Sequence, residues 1–480
     1  MDYTQIGLFA TNIIFVMSLG WYLITNLQWY DYRIERVVLR HHKTWWHIVY
    51  FIIPFVAYYT TGKFFPIFFF FAFLPALILW HRKLDKKVVL TWRVKRFLIL
   101  LFGLTFFQNF LCSLKEMCEV YGVFMPLVMT YAGSWAIERF LFEAYKKQAK
   151  NKIASMDQLT IIAVTGSYGK TSMKNFIAQI LSQKYNVYAT PRSVNTLGGI
   201  IRDVNESLPA NTQVYICEAG AREVGDIYAI SQLLHPQIVV VGKVGPQHME
   251  YFKTLERIQR TKLEIIHSDR LQKAFIHTSV TDEPHEKVTF FGDDIHNLSA
   301  TLEGIDFDLS IHGEERHFHT KVLGGFQAIN INAAILIASE MRMSSDEIVN
   351  AVEKLKSVEH RLERIDAGGK IILDDGYNGN IEGMLEGVRL CSLHSGRKVI
   401  VTPGLVESTK ELNSQLINAM NDVFDVAIIT GSLNAEQFEN ELKVHQVVML
   451  KDKSQMVKVL GELTRAGDII LFANDAPNFI

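Results

Sequence analysis

Residues Ile161-Ile162-Ala163-Val164 are apolar and lead into Thr165-Gly166-Ser167-Tyr168-Gly169-Lys170-Thr171-Ser172, an order of residue types suited to binding a polyphosphate. Gly166 and Gly169 permit close backbone approach, and the N–H groups of a turn entering a helix point at anionic oxygens. Lys170 adds a point charge, and Thr171 offers a hydroxyl to Mg²⁺. The common spacing would need glycine at 164, where Val164 stands, so this is a shorter variant of the loop. An ordinary strand-to-helix turn could carry the same pattern, but the amphipathic run 173–181 after it favours the phosphate reading. Glu218 ends a second apolar run, 214–218. Alone it could serve a structural ion pair; opposite a phosphate loop it is placed to complete a Mg²⁺ site with Thr171.

The elements that would position these groups follow from β-branched runs at 186–190, 214–218, 238–241 and 274–278 alternating with helical stretches. That pattern predicts a mostly parallel, doubly wound α/β sheet, with ligands beyond the carboxyl ends of its strands. Three other segments fall at or near such ends. In Thr190-Pro191-Arg192-Ser193-Val194-Asn195-Thr196, Ser193 or Asn195 could simply cap a helix. His248 lies in a loop and Lys262 inside a helix, where a solvated histidine and a surface charge are the plain readings. Residues 307–322 alternate about Gly313 as a hairpin. Its His312, His317 and His319 read as exposed positions rather than a metal site, no carboxylate or cysteine being evident beside them. From about residue 362 a second, smaller Rossmann-like α/β pattern begins, with strands at 370–373, 398–402, 426–430, 446–450 and 468–472. Its first strand runs into Asp374-Asp375-Gly376-Tyr377-Asn378-Gly379-Asn380, which by itself resembles a turn.

The first third differs in kind. Runs at 6–27, 46–60, 64–80, 97–114 and 121–137 are almost uncharged, which predicts an α-helical membrane region of four or five transmembrane helices over 1–150. The start lacks a basic region and a small-residue cleavage site, so a removed signal peptide is not expected. With five spans, the basic loops after the first and third runs and Lys146, Lys147 and Lys150 share one side, the cytoplasm by the positive-inside rule. His41-His42 belongs to such a juxtamembrane loop. Over the whole chain 49 Lys+Arg face 50 Asp+Glu, which leaves no basic footprint for nucleic acid. The four cysteines show no C-x-x-C spacing, which argues against zinc and a disulfide framework and for a reducing compartment.

Taken in order, Thr165 to Ser172, Asn195, Glu218-Ala219-Gly220-Ala221, His248 and Lys262-Leu263-Glu264-Ile265 resemble the ATP-dependent Mur ligases of peptidoglycan synthesis, in particular their D-alanyl-D-alanine-adding branch. Gly324-Gly325-Phe326-Gln327-Ala328-Ile329-Asn330 is similar to the family's adenine-side segment, with Phe326 in place of histidine and Gln327 in place of asparagine. Asp374 to Asn380 resembles D-D-S-Y-N-A-N-P, and Arg361 matches a hinge arginine, with His360 where glycine is usual.

The resemblance covers 160–480 and implies a central ATP-binding domain at 151–361 and a C-terminal domain at 362–480. It implies ATP held by Gly166, Ser167, Gly169, Lys170, Thr171, Ser172, Asn330, Arg361, Asp375, Tyr377 and Asn378. Two Mg²⁺ ions would be held by Thr171, Glu218, His248 and a carbamylated Lys262. The catalytic set would be Lys170, Asn195, His248, Lys262 and Asp375. A UDP-MurNAc-peptide and D-Ala-D-Ala would be the substrates, joined through an acyl phosphate by an enzyme in the bacterial inner membrane, beside its lipid and other peptidoglycan-synthesis enzymes. Family members carry a soluble uridine-nucleotide domain where this chain has apolar runs. A membrane-bound ligase of the poly-γ-glutamate type and a non-catalytic nucleotide-binding scaffold are the competing readings.

Overall fold

The computed structural model describes residues 3–39, 41–84, 86–115, 122–192, 194–245, 252–281, 283, 285–377, 379–406 and 408–474. The chain forms two compact units, Met1–Tyr145 and Lys146–Ile480.

The first unit is helical. Among the described residues three of its helices, Ile6–Trp29, Gly62–Arg82 and Trp92–Leu114, are long and apolar enough to cross a membrane by length and composition. The run at 46–60 folds as shorter consecutive pieces, Trp45–His47, Ile48–Ile52 and Ile53–Thr60, and the run at 121–137 opens the helix Phe124–Ala154. Two π-helical turns, Ile48–Ile52 and Phe69–Phe73, stand directly before the prolines Pro54 and Pro75, whose missing N–H and ring bulk the wider turn accommodates. Phe15, Tyr58, Phe65 and Phe69 pack at the unit's centre, with Tyr58 and Phe65 edge-on at 4.8 Å across the turn at Gly62. Cys112 is disulfide-bonded, contrary to the expectation of reduced thiols throughout, whereas Cys217 and Cys391 are free and buried in the second unit.

In the second unit, β1 (Thr160–Thr165), β2 (Val187–Ala189), β3 (Val214–Glu218), β4 (Ile238–Val241), β5 (Lys273–His277) and β6 (Val288–Phe291) form a wholly parallel sheet of order β2-β3-β1-β4-β5-β6. Both faces are covered: Ile162, Val164, Phe176 and Ile331 pack on one side, and Ile161, Ala163, Ile230 and Ile153 on the other. That is why these strands read as unbroken apolar runs rather than alternating ones. β7 (His296–Ala300), β8 (Ile305–Ile311) and β9 (Glu314–Thr320) form an antiparallel sheet containing the expected hairpin. Phe307 and Phe318 face the core, while His317 and His319 point outward. Carboxylates do accompany those histidines: His317 Nδ1 lies 2.7 Å from Asp308 and His319 Nδ1 2.9 Å from Asp306. The alternation of β8 puts both aspartates on the exposed face, a cross-strand relation that spacing within one strand cannot reveal.

The C-terminal sheet contains β10 (Glu363–Ala367), β11 (Lys370–Asp375), β12 (Lys398–Thr402), β13 (Val426–Thr430), β14 (Gln446–Leu450) and β15 (Ile469–Ala473). Its order is β10-β11-β15-β12-β13-β14, all parallel except β10.

Candidate active site

The parallel register brings Val164 of β1 beside Glu218 of β3, so the phosphate-type loop and the strand-end carboxylate leave the sheet at one rim. Gly166 has φ +149° and Gly169 φ +73°, both glycine territory. A Cβ on Gly169 would sit 2.3 Å from Asn330 Oδ1, so Asn330, buried and donating to Gln327 Oε1 at 2.8 Å, packs directly on the loop. The loop is fastened from below: Ser167 N–H donates to Lys243 O at 3.0 Å, and Ser167 Oγ to Gly245 O at 3.1 Å. Gly169 caps the helix Lys170–Leu181, on which Ser172 is buried.

The polar groups are bonded to one another. Lys170 Nζ donates to Gly166 O and Ser167 O, each at 2.9 Å. Burial holds its pKa below the usual lysine value, reinforced by Arg361 and opposed by Glu218. Thr171 Oγ1 donates to Glu218 Oε2 at 3.0 Å and Asn195 Nδ2 to Glu218 Oε1 at 3.2 Å. Asn195 therefore serves the carboxylate; the helix Leu197–Glu206 is capped instead by Thr196, which accepts from Gly199 N. Ser193 lies outside the described residues.

Sequence reasoning missed Lys174. Its ammonium lies 3.4 Å from Glu218 Oε2 and donates to Thr190 O at 2.7 Å, with 3% of the side chain exposed. Its spacing held the signal: three residues beyond Thr171 on one helix, it shares that residue's face.

Lys262 is buried in the helix Leu255–Leu263, not a surface charge. Its pKa is pushed down to about 7, chiefly by burial and next by Lys170, against Asp226, Glu264 and Glu218. Glu264 accepts from Gly225 N at 2.9 Å and Tyr228 N at 3.0 Å, tying this segment to the start of the helix Asp226–Leu234. His248 lies outside the described residues, as does Asn378.

The C-terminal sheet supplies the facing wall. Asp374 and Asp375 end β11 as buried carboxylates and not as a solvated turn. The Asp375 carboxyl is pushed up to about 6 by burial, with Arg361 opposing and Asp374 adding to the rise. Arg361 donates to Tyr377 O and lies 5.0 Å from the Tyr377 ring. It sits between two non-glycine residues at positive φ, His360 at +58° and Leu362 at +54°. His360 Nδ1 meets Asp374 at 2.6 Å, a contact that glycine at this position could not make. Lys243, just past β4, joins Glu382 in the helix Ile381–Ser392 at 2.7 Å. Phe326 packs with Leu323 and Leu362 in the C-terminal core.

Residues 164–338 match the Mur ligase middle domain. The UDP-N-acetylmuramoyl-tripeptide–D-alanyl-D-alanine ligase of Bacillus subtilis (strain 168) is 29% identical over 334 residues, 65% of this chain and 72% of that protein. The ligase of the same name from Borreliella burgdorferi is 29% identical over 56% of this chain and 59% of its own length. Among solved structures, MurF ligase from Thermotoga maritima in complex with ADP is 25% identical, with a TM-score of 0.60 over 70% of this chain and 80% of that one. MurF from Acinetobacter baumannii shares the fold, with a TM-score of 0.59 over 69% and 77% at 21% identity. The class indicated is that of the Mur ligases: residues 164–338 match their middle domain, and the fold is shared with solved MurF structures. Within that class these relatives are MurF ligases.

Proposed function

We propose that the chain is an ATP-dependent amide-bond-forming ligase that adds D-Ala-D-Ala to a UDP-MurNAc-tripeptide at the cytoplasmic face of a bacterial membrane. The observation that carries this reading is the convergence of Lys170, Thr171, Glu218, Asn195 and Lys262 on one rim with Arg361, Asp375 and Tyr377 of the C-terminal part. A substrate carboxylate attacks the γ-phosphate of ATP, releasing ADP and leaving an acyl phosphate; the amine then attacks the acyl carbon, loses a proton and displaces phosphate. Lys170 and the loop N–H groups hold the polyphosphate, so that two like-charged reactants meet.

The donor chemistry fits the expected ions. Thr171 and Glu218 offer hard oxygens to one Mg²⁺, and a carbamylated Lys262 with His248 would hold a second, each ion adding charge neutralisation at the transferring phosphoryl group. A lysine amine near pKa 7 has the neutral form that carbamylation requires. Asn330, packed against the loop, supports an adenine-side role, and Arg361, Asp375 and Tyr377 with Asn378 would close over nucleotide and amine. The apolar helices of Met1–Tyr145 support an inner-membrane tether near lipid and other wall-building enzymes.

The test is ADP release by the full-length protein given UDP-MurNAc-tripeptide, D-Ala-D-Ala, ATP and Mg²⁺. Pentapeptide product is expected; its absence, with ADP released on glutamate instead, would replace this reading by the poly-γ-glutamate type.

A further inference from the structure

Arg192 lies outside the groups given to nucleotide and metal above. It follows β2, the edge strand paired with β3, and so stands on the rim that carries Glu218. Its guanidinium lies 4.5 Å from the centre of the Tyr377 ring, the same ring that Arg361 approaches at 5.0 Å. Tyr377 is 43% exposed, so a water-accessible tyrosine of the C-terminal part lies between cations from the central domain and from the linker. Burial chiefly lowers the pKa of Arg361, and Arg192 adds to that effect, so the two guanidinia feel each other. Arg192 also pairs with Glu359 at 3.3 Å, with 42% and 68% of the two side chains exposed. Such an open ion pair is weak and exchangeable.

We infer that Arg192 binds the carboxylate of the incoming amine substrate, an amino acid or short peptide with a free C-terminus. This rests on the ligase reading. Ligation of such an amine brings together the polyphosphate, the carboxylate being activated and the amine's own terminal carboxylate. Lys170 stands with the polyphosphate, Lys262 is given as a carbamate to a metal ion, Lys174 is spent beneath Glu218, and Arg361 is bonded to the Tyr377 carbonyl. Arg192 has a planar fork suited to a carboxylate, and Glu359 meets one of its nitrogens in an open ion pair. Because Tyr377 follows Asp375 at the end of β11, an amine held here by its carboxylate lies at the wall opposite the phosphate loop.

The experiment measures ADP release by the full-length protein with paired amines, D-alanyl-D-alanine against its C-terminal amide and glutamate against its α-amide. The wild type should prefer the free acids. Arg192→Gln should raise KM for the free acid roughly 10- to 100-fold and leave KM for ATP and for the amide within about twofold, as loss of a charge-assisted contact to one group requires. Arg192→Lys should restore part of the preference. An unchanged acid-to-amide ratio in Arg192→Gln, or an equal loss on acid, amide and ATP, would overturn the inference and leave Arg192 as a clamp between domains. Activity with glutamate and none with D-alanyl-D-alanine would overturn the D-Ala-D-Ala assignment, and Arg192 would then be judged on the glutamate pair.

Discussion

Lys174→Met removes a buried ammonium and keeps most of its stem. Glu218 then retains the hydrogen bonds from Thr171 and Asn195 but loses the cation 3.4 Å away, and Thr190 O loses its donor. Breaking a buried pair from one side costs about 3–5 kcal/mol, and the surviving hydrogen bonds place this case near the lower figure. For an α/β unit of this size that corresponds to a midpoint lowered by on the order of 5–10 °C. Calorimetry of the full-length protein in detergent reads this shift. Two further measurements separate charge imbalance from lost packing. Adding Glu218→Gln to the variant should return most of the lost stability, because the uncompensated charge is then gone. Mg²⁺ with ATP should raise the midpoint more in Lys174→Met than in the wild type, since the ion supplies the charge that Lys174 supplied. A variant that melts like the wild type, or an equal nucleotide increment in both proteins, would refute the reasoning.

The Asp375 carboxyl, raised to about 6, binds more protons folded than unfolded between roughly pH 4 and pH 6, so its contribution to stability is present below that window and is lost as pH rises through it. Asp375→Asn should therefore stabilise the fold at pH 7 and not at pH 4, by at most about 3 kcal/mol, and raise the thermal midpoint only at the higher pH, while ADP release falls. Midpoints equal to the wild type at both pH values would contradict the burial argument. With its pKa near 7, Lys262 is about half neutral at pH 7, against under about 0.1% for an ordinary lysine. ADP release should rise on adding bicarbonate, most strongly below pH 7, and Lys262→Arg should abolish that response; bicarbonate-insensitive turnover together with no carbamate carbon signal by NMR would dispose of the modified lysine.

Periodicity made much of the fold readable because burial on both faces leaves an unmistakable mark. β3, β4, β12, β13 and β14 have the limits expected from their β-branched runs. β6, β7 and β10 escaped because Val288–Phe291, His296–Ala300 and Glu363–Ala367 are short or half exposed and carry little apolar signal. At the site, Thr171 and Glu218 could be paired by chemistry alone, since a loop hydroxyl and a strand-end carboxylate have a shared purpose. Lys174 could not, because its value depends on the β3 carboxylate lying under that helix face. Lys262 and Asp375 look solvated in sequence and are buried in the fold; only tertiary packing distinguishes the two cases.

The inward fold of Lys170 sets how the loop meets its ligand. Its ammonium is bonded to two carbonyls of its own turn, and Glu218 is satisfied by Lys174, Thr171 and Asn195. The hydrogen-bonding capacity of this end of the site is therefore largely used before a ligand arrives. Capture proceeds by trading internal bonds for bonds to phosphate, so its rate should follow the opening of the loop.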